Sequence, residues 1–348
     1  MKIGKRKISD NYPPFIVAEI SANHNNSLKR TLRLVDEAKR AGADAIKIQT
    51  YKAETITLKS KKKDFLISNK KSLWHGKYLY DLYSKGSLPW KWHKAIFDRA
   101  RKKKIICFSS PFDETAIDFL EKLKCPIYKV ASFENNHVPL IEKLISLNKP
   151  IIISTGLTNL KDIKSILSNF KKKNFKNFML LKCTSSYPAP EEDTNLKCIQ
   201  DLIKKFDINI GLSDHTEGIG VAIASVAFGA SLIEKHFTLN KKDGGLDDSF
   251  SINPRELREL VIESKRAWKS KGKIFYGVSK SEKASMIFKR SIYISKNIKK
   301  NEILTTKNIK VVRPNLGLHP KYFNLVLGKK AKKNLFEANP LKLKDVIR

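Results

Sequence analysis

Residues 209–238 read NIGLSDHTEGIGVAIASVAFGASLIEKHFT. The apolar runs at Asn209–Asp214 and Leu232–Thr238 each predict a buried β-strand, and the segment Gly218–Phe228 between them predicts a helix. Both strands end in polar side chains that can take part in chemistry. A buried strand, a helix and a second buried strand form the repeating unit of a parallel α/β fold.

The same unit recurs along the first 270 residues. Strands are predicted at Phe15–Ile20, Ala45–Thr50, Ile105–Pro111, Ile127–Ser132, Pro150–Thr155, Phe178–Thr184, Asn209–Asp214 and Leu232–Thr238. Helical patterns alternate with them at Ser27–Ala41, Pro89–Lys104, Asp113–Lys124, Val138–Leu147, Asn159–Phe170, Asn195–Phe206, Gly218–Phe228 and Pro254–Lys269. Eight such units in about 260 residues predict an α/β protein with a (β/α)8 TIM barrel. A doubly wound open sheet is the alternative, but the first strand runs into AEISANHNN, which lacks the glycine-rich fingerprint of that fold.

The alternating strand and helix patterns end at about residue 270. The segment that follows, SKGKIFYGVSKSEKAS, is polar and predicts a linker. Beyond it only short apolar pieces occur, such as SIYI, IKVV and LKL, and these predict a small, mostly β module with little core of its own. We therefore divide the chain into a barrel (1–270), a linker (271–285) and a C-terminal module (286–348).

Composition excludes several classes of protein. Hydrophobic residues make up 41% of the 348 residues, which is enough for a sizeable core and excludes wholesale disorder. The longest mostly apolar run, Val221–Ile233, is too short to span a bilayer, and the N-terminus lacks the apolar segment of a secretory signal. The four cysteines show no CxxC pairing, so we expect reduced thiols in a cytoplasmic protein. They are Cys107, Cys125, Cys183 and Cys198.

The net charge of +35, from 69 Lys and Arg against 34 Asp and Glu, has two interpretations. One is nucleic-acid binding. The other is a bias spread over solvated faces, because the runs Lys61–Lys63, Arg101–Lys104 and Lys171–Lys173 are scattered and lack interleaved aromatic residues. No nucleic-acid-binding motif accompanies them, so we expect no specific nucleic-acid partner. A positive field would still attract an anionic substrate.

In a TIM barrel the residues that do chemistry lie at the carboxyl ends of the strands. All eight predicted strands carry polar residues there. A set of unpaired buried polar groups would be costly, so we expect these ends to form a functional site rather than ordinary loop caps. The residues are Glu19, Asn23, His24, Lys47, Gln49, Ser109, Ser110, Lys129, Ser132, Glu134, Ser154, Thr155, Lys182, Ser185, Tyr187, Ser213, Asp214, His215, Glu234, Lys235 and His236.

Two cations, Lys47 and Lys129, are predicted to face inward from their strands. Together with neighbouring hydroxyl and N–H donors they could bind a phosphate or a carboxylate. Those donors would come from Ser132, Ser154, Gly156 and Ser213. The alternative is that each lysine pairs with a carboxylate, Glu19 or Glu134.

His215 and His236 close neighbouring strands and could share one divalent metal. Two imidazoles without a cysteine leave open positions for water or a substrate oxygen, which suits a Lewis acid better than a structural site. Three carboxylates, Glu19, Glu134 and Asp247, are placed to meet a polyol or to move protons. The glycine-rich segment 243–249 could close over a sugar, or it could be a flexible surface turn.

Several of these stretches resemble the sialic-acid synthases, which condense phosphoenolpyruvate (PEP) with an amino sugar. The stretches are AEISANHNNSL, ADAIKIQTY, KVASFENNH, IIISTG, LKCTSSYPAP, GLSDHTEGIG and EKHFTLNKKDGGLDDSFS. In the C-terminal module, KNIKKNEILTTKNIKVVRPNLGLHP is similar to the antifreeze-like (SAF) domain that follows the barrel in that family. The resemblance implies a TIM barrel with a small SAF domain, and a PEP-dependent transferase that forms a carbon–carbon bond.

The resemblance also implies a role for each residue of the site. His215 and His236 would bind a divalent cation, Mn²⁺ with Mg²⁺ or Co²⁺ as alternatives, and Glu19 would assist proton transfer or steer the attacking water. The residues expected to bind PEP are Lys47, Gln49, Lys129, Ser132, Ser154, Ser185 and Ser213. Those expected to bind the open-chain sugar are Glu134, Tyr187, Asp247 and Arg313. Arg313 would reach from the SAF domain of one subunit into the barrel of another, which implies a domain-swapped homodimer.

Within the family, KVASFE, LKCTSSYPAP and KKDGGLDDSFS are most similar to the pseudaminic branch, whose sugar is 2,4-diacetamido-2,4,6-trideoxy-altrose. The N-acetylneuraminate and legionaminate branches are alternatives, and so is another PEP-condensing synthase, which should lack the C-terminal module. Asn26 and Asn301 stand where the family usually has Gly, but Asn tolerates positive φ, so neither threatens the fold. Ser185 replaces an Asn of the neuraminate branch, which favours a different sugar.

Overall fold

The computed structural model of the protein describes residues 1–4, 6–70 and 72–347. The chain divides into two compact units, Met1–Gly272 and Lys273–Arg348, and each is described by itself. Among the described residues, no helix combines the length and the apolar character that crossing a bilayer requires.

The first unit is built around a closed barrel of eight parallel strands. A short hairpin, β1 (Lys2–Ile3) and β2 (Arg6–Lys7), precedes the barrel and was not predicted. The barrel strands are β3 (Phe15–Glu19), β4 (Ala45–Thr50), β5 (Ile106–Pro111), β6 (Tyr128–Val130), β7 (Ile151–Ser154), β8 (Phe178–Cys183), β9 (Ile210–Asp214) and β10 (Leu232–His236). Because β10 pairs with β3 and closes the ring, the TIM-barrel prediction is confirmed and the open-sheet alternative is wrong.

Helices connect the strands and pack outside them. They are α1 (Leu28–Ala41), α2 (Ala53–Ile56), α3 (Leu79–Gly86), α4 (Trp90–Lys103), α5 (Glu114–Lys122), α6 (Val138–Ser146), α7 (Leu160–Lys172), α8 (Lys197–Phe206), α9 (Gly220–Ala227) and α10 (Pro254–Lys271). Helices α2 and α3, between β4 and β5, were not predicted, and α2 is too short for a 3.6-residue period to become visible.

Local sequence sets several boundaries of these elements. Asn253 caps α10 by accepting hydrogen bonds from the N–H groups of Arg255 and Glu256, and Pro254 occupies the first helical position, as predicted. Asn26 and Asn301 both adopt positive φ, 51° and 66°. The two departures from the family pattern therefore stand where glycine-like backbone geometry is needed.

Parallel pairing brings the polar strand ends to one level. Glu19 of β3 is in register with Lys47 of β4 on one side and with His236 of β10 on the other. Ser213 of β9 lies in register between Cys183 of β8 and Glu234 of β10. These strand ends therefore meet at the carboxyl end of the barrel, where the site was predicted.

The second unit is small, and one antiparallel strand pair with several isolated antiparallel β-bridges forms most of its regular structure. Strands β11 (Ser291–Ile294) and β12 (Ile309–Val312) pair in the register Ser291↔Val312, and a short helix, α11 (Phe323–Val326), follows. It has a separate apolar core formed by Ile292, Ile294, Ile298, Leu304, Ile309, Val326, Ala331, Leu335, Leu341 and Val346. The prediction of a small, mostly β module is confirmed, and its core is larger than the sequence suggested.

Candidate active site

Four buried charges alternate in sign at the carboxyl end of the barrel. Lys47 Nζ lies 2.7 Å from Oε2 of Glu19 and 3.5 Å from Oε1 of Glu234. The same Glu234 oxygen lies 3.6 Å from Nζ of Lys129. Buried charges are costly unless paired, and this arrangement satisfies both lysines with two carboxylates. Lys47 is paired with Glu19, which was the alternative given in the sequence analysis. Glu234 pairs with both lysines and was not predicted to do so.

The environment shifts the protonation equilibria of this group. Burial raises the pKa of the Glu19 carboxyl to about 6, although Lys47 opposes the shift. Burial alone would also raise the pKa of Glu234, but Lys129 and Lys47 bring it below its ordinary value. Burial lowers the pKa of Lys129. Glu19 is therefore the member of the group best suited to exchange a proton near neutral pH.

Hydroxyl and N–H groups are clustered next to Lys129. Lys129 Nζ donates to Oγ of Ser154 at 2.7 Å, and the N–H of Gly156 donates to Oγ of Ser132 at 3.2 Å. A Cβ atom on Gly156 would lie 2.6 Å from Oγ of Ser132 and 2.1 Å from Oγ of Ser185. Gly156 thus keeps open a small space that two hydroxyl groups face. Such a cluster of donors beside a cation is a suitable site for an oxyanion.

Two more predicted residues join the charged group through hydrogen bonds. Gln49 Nε2 donates to Oε1 of Glu19 and to Oγ of Ser21, both at 3.1 Å. Ser213 Oγ donates to Oε1 of Glu234 at 3.2 Å. All seven residues expected to bind PEP therefore lie around one group of buried charges.

The two histidines lie beside each other, as predicted. Their ring centroids are 5.3 Å apart and the ring planes are inclined by 72°. Nδ1 of His215 lies 2.8 Å from the carbonyl oxygen of Thr184, so we assign its proton to that hydrogen bond, which leaves Nε2 free as a lone-pair donor. Burial lowers the pKa of His236 well below its ordinary value, so this ring is neutral. Burial would also lower the pKa of His215, but the neighbouring Cys183 raises it.

The donors present fit a divalent cation held by few protein ligands. Nδ1 of His236 is buried without a hydrogen-bond partner, and Asp247 Oδ2 lies 3.8 Å from it. Across residues 1–4, 6–70 and 72–347, no three His, Cys, Asp or Glu side chains are grouped so as to hold a metal together. A cation bound by the two imidazoles would complete its coordination with oxygen atoms from water or substrate, which leaves the open positions that Lewis-acid chemistry needs.

Aromatic rings form a wall beside the histidines. The Tyr187 ring lies 4.3 Å from that of His215 and 6.0 Å from that of His236, measured between centroids. Trp74 and Phe250 pack against Tyr187 at 5.7 and 5.5 Å. Apolar ring faces next to polar groups are typical of small-molecule sites.

Two carboxylates predicted to meet the sugar also lie here. Burial raises the pKa of Glu134 to about 7, with Lys129 opposing, and its Oε2 is buried without a hydrogen-bond partner. Asp247 is buried and accepts a hydrogen bond from the N–H of Ala22 at 3.4 Å. Arg313, the remaining sugar contact expected from the resemblance, lies exposed on the second unit, and its entry into a partner's barrel stays a prediction.

The sequence analysis gave no role in the site to three residues. Glu234 stands two residues before His236, and strand alternation could have placed it on the same face. Cys183 joins the hydroxyl cluster to the histidines, since its Sγ lies 3.8 Å from Oγ of Ser185 and 3.9 Å from Nδ1 of His215. Trp74 lies between the two helices that the sequence did not predict, and no pattern marked it.

Comparison with known proteins agrees with this arrangement. Residues 34–276 match the NeuB family, and residues 289–347 match the SAF domain. The chain is 42% identical over 331 residues to pseudaminic acid synthase of Campylobacter jejuni (strain 81-176), covering 95% of this chain and 96% of that protein. It is 38% identical over 326 residues to N,N'-diacetyllegionaminic acid synthase of C. jejuni (strain NCTC 11168), covering 92% and 97%.

A solved structure shows the same architecture. The crystal structure of N-acetylneuraminic acid (sialic acid) synthetase from Leptospira borgpetersenii, in complex with citrate, superposes with a TM-score of 0.73 at 34% identity. The match covers 82% of this chain and 94% of that one. The family and sequence matches extend over the barrel and the C-terminal module and confirm the resemblance drawn from the strand ends. The chain belongs to the NeuB family.

Proposed function

We propose that the chain is a pseudaminic acid synthase. It condenses PEP with 2,4-diacetamido-2,4,6-trideoxy-altrose and water to give a nonulosonic acid and phosphate. The higher identity to the pseudaminic acid synthase than to the legionaminic acid synthase supports this sugar. The observation that carries the reaction type is one connected cluster of side chains, in which the buried lysines, the hydroxyl groups and the histidine pair are joined through Glu234, Ser154 and Cys183.

The charged group would bind the two anionic ends of PEP. Lys47 and Lys129 supply positive charge in a buried setting, and the hydroxyl groups next to Lys129 supply hydrogen bonds to phosphate or carboxylate oxygens. C3 of PEP attacks the sugar aldehyde, and positive charge develops at C2, next to these bound anions. Water adds at C2 and the resulting tetrahedral carbon loses phosphate. Preorganised charge and the holding of two reactants face to face supply most of the rate enhancement.

Glu19 is assigned to the proton transfers. Because burial brings its pKa to about 6, it is largely ionised near neutral pH and can take a proton from the attacking water. Gln49 and Lys47 fix its two oxygens through contacts of 3.1 and 2.7 Å. A divalent cation, Mn²⁺ with Mg²⁺ or Co²⁺ as alternatives, would be held by His215 and His236 and would polarise the sugar aldehyde.

The sugar would lie against the aromatic wall. Tyr187 offers a ring face for the carbon skeleton, and Asp247 and Glu134 offer carboxyl groups to its hydroxyl or acetamido groups. Arg313 would complete the site from the SAF domain of a partner subunit in a homodimer. The enzyme would act in the cytoplasm. N-acetylneuraminate and legionaminate synthesis are the alternatives, and they differ only in the amino sugar.

Phosphate release from PEP tests the proposal directly. The altrose sugar, N-acetylmannosamine and the legionaminate precursor sugar are each supplied with PEP and Mn²⁺, with and without chelator. We expect turnover with the altrose sugar alone and its loss in chelator. Turnover only with another sugar would reassign the branch, and none with any sugar would refute the synthase.

A histidine variant tests the proposed metal site. His236→Ala should lose Mn²⁺ binding, measured by calorimetry, together with turnover, and retention of both would remove His236 from the site.

Titration with duplex DNA tests nucleic-acid binding, since charge alone predicts only weak, sequence-independent and salt-sensitive association.

A further inference from the structure

The segment that follows β10, here called the β10 loop (residues 240–251), is fastened to the segment that follows β3. We propose that Arg30 and Asp248 are positioning residues, which hold the β10 loop as a fixed wall of the site and so set the affinity for the sugar. The consequence for the sugar rests on the proposed function. Both residues lie outside the set that contacts the reacting groups.

Asp248 is the centre of this fastening. Its side chain is 1% exposed, and Oδ2 accepts hydrogen bonds from the N–H of Gly245 at 2.6 Å and from Nδ2 of Asn25 at 3.2 Å. Its Oδ1 accepts from the hydroxyl of Thr238 and from Arg30. One carboxylate therefore ties the turn of the β10 loop to the end of β10 and to the β3 side.

Gly245 allows the turn to approach this closely. A Cβ atom there would lie 2.2 Å from Oδ1 of Asn25 and 2.6 Å from Oδ2 of Asp248. Since both side chains take part in the fastening, through Nδ2 of Asn25 and Oδ2 of Asp248, a larger residue at this position would displace them. The close approach of the loop to Asn25 and Asp248 therefore requires glycine at position 245.

Arg30 joins three segments from helix α1. Its Nε donates to the carbonyl of Asn23 at 2.7 Å, one terminal nitrogen donates to Oγ1 of Thr238 at 2.9 Å, and the other pairs with Asp243. The nitrogen that donates to Thr238 also lies 3.5 Å from Oδ1 of Asp248. A planar guanidinium can serve such divergent acceptors at once, which a single ammonium group cannot.

The position of Arg30 is unfavourable for the helix itself. It stands in the first turn of α1, where its N–H is capped by Ser27, and the positive end of the helix dipole repels a cation there. The first turn of α1 also contains no acidic residue. The two aspartates of the β10 loop offset this repulsion, so the placement of Arg30 is explained by the loop and not by α1.

The fastening fixes Asp247, the neighbour of Asp248. The carbonyl of Asp247 accepts from Oγ of Ser251 at 2.6 Å, and Asn23 Nδ2 donates to the same Oγ at 2.8 Å. The side chain of Trp74 donates to the carbonyl of Leu246 at 3.4 Å. With both flanks held, Oδ2 of Asp247 lies 3.8 Å from Nδ1 of His236. On this proposal the β10 loop is a preorganised wall of the site.

Kinetics of Arg30→Lys and Arg30→Gln test this role. Each variant should raise the KM for the altrose sugar by about 10- to 100-fold, with the KM for PEP within about twofold, because misplacement of a positioning group by about an ångström has effects of that size. Arg30→Lys, which keeps the charge, should be the milder of the two. The control is Arg33→Gln, an exposed arginine on the same helix, which should behave as wild type.

Hydrogen–deuterium exchange of the peptide spanning 240–251 gives a readout that needs no turnover. The Gly245 amide, now held by Asp248, should exchange at least about tenfold faster in both Arg30 variants. Unchanged exchange, or equal rises in the KM for PEP and sugar, would overturn the inference, as would faster exchange with an unchanged KM for the sugar. A wild-type chain inactive on every sugar would refute the proposed function instead, and exchange would then decide alone whether Arg30 holds the loop.

Discussion

At Gly156 the missing side chain leaves the space of the proposed anion site open. Its φ is ordinary, so alanine would not strain the backbone, but the added methyl group would meet the hydroxyl groups of Ser132 and Ser185. Gly156→Ala should therefore raise the KM for PEP by about 10- to 100-fold, the cost of losing one or two hydrogen bonds to a charged group. Steady-state kinetics with calorimetry as a check on folding would measure this. Gly220→Ala, where a Cβ meets nothing within 4 Å, is the control. An unchanged KM for PEP in Gly156→Ala would argue against an anion site at Gly156.

Glu134 couples the site to pH. Its folded pKa of about 7 lies above the ordinary value of 4.5 because of burial. Below about pH 4.5 the Glu134 carboxyl is protonated in both the folded and the unfolded chain. Between 4.5 and 7 it is protonated only in the folded chain, and above 7 the folded chain carries a buried negative charge. Its contribution to the free energy of unfolding therefore falls as pH rises through this window.

Replacing Glu134 removes this pH dependence. The Tm of Glu134→Gln relative to wild type should be higher at pH 8 than at pH 5, measured by scanning calorimetry, while turnover of the sugar falls at both. Glu54→Gln, at an exposed position, controls for the loss of a surface carboxylate. A relative Tm that is lower at pH 8 would mean that the charged form is stabilised in the folded state.

At the scale of elements, a buried ion pair joins the two strands that carry the histidines. Lys235 Nζ of β10 lies 2.7 Å from Oδ2 of Asp214 of β9, and both side chains are 1% exposed. Asp214 Oδ1 also accepts from the N–H and the hydroxyl of Thr216, each at 2.9 Å. Each charged residue precedes a histidine in sequence, so the pair fixes the two strand ends from the opposite face.

Removing one partner of this pair should be costly. Lys235→Met leaves Asp214 buried and unpaired, and we expect it to lower the free energy of unfolding by about 3–5 kcal/mol. The double variant with Asp214→Asn should recover most of the loss, because the amide oxygen still accepts from Thr216. Urea denaturation at fixed pH would compare four chains: wild type, Lys235→Met, Asp214→Asn and the double variant. Losses that simply add in the double variant would show that the two side chains do not act as a pair.

The elements also show what the sequence could predict. Strand periodicity placed Lys47, Lys129 and Ser213 at the carboxyl end, because burial on both faces of a barrel strand leaves a distinct pattern. The pattern of one strand cannot show which residues meet across the barrel. Glu234 was missed as a partner of Lys47 and Lys129 for that reason, since β10, β4 and β6 are not neighbours in the ring. Helix α3, with eight residues, was not predicted, although α9 of the same length was.

At the scale of the whole molecule, the excess of positive charge lies mostly on exposed residues. The run Lys61–Lys63 is exposed, and Arg101–Lys103 and Lys171–Lys172 occupy the last turns of α4 and α7. Cations in the last turn of a helix are favoured by the helix dipole. The runs of α4 and α7 therefore have a local explanation at separate places on the first unit.

The expected exchange of SAF domains between subunits can be tested by complementation. In a domain-swapped homodimer each site combines the barrel of one chain with Arg313 of the other. Co-expression of His236→Ala with Arg313→Ala should then restore turnover at low sugar concentration, because about a quarter of all sites would combine an intact barrel with an intact partner arginine. Co-expression of His236→Ala with His215→Ala, both barrel variants, should restore nothing. If Arg313 served the barrel of its own chain, every site in the first mixture would keep one defect, and turnover would stay at the level of the separate variants.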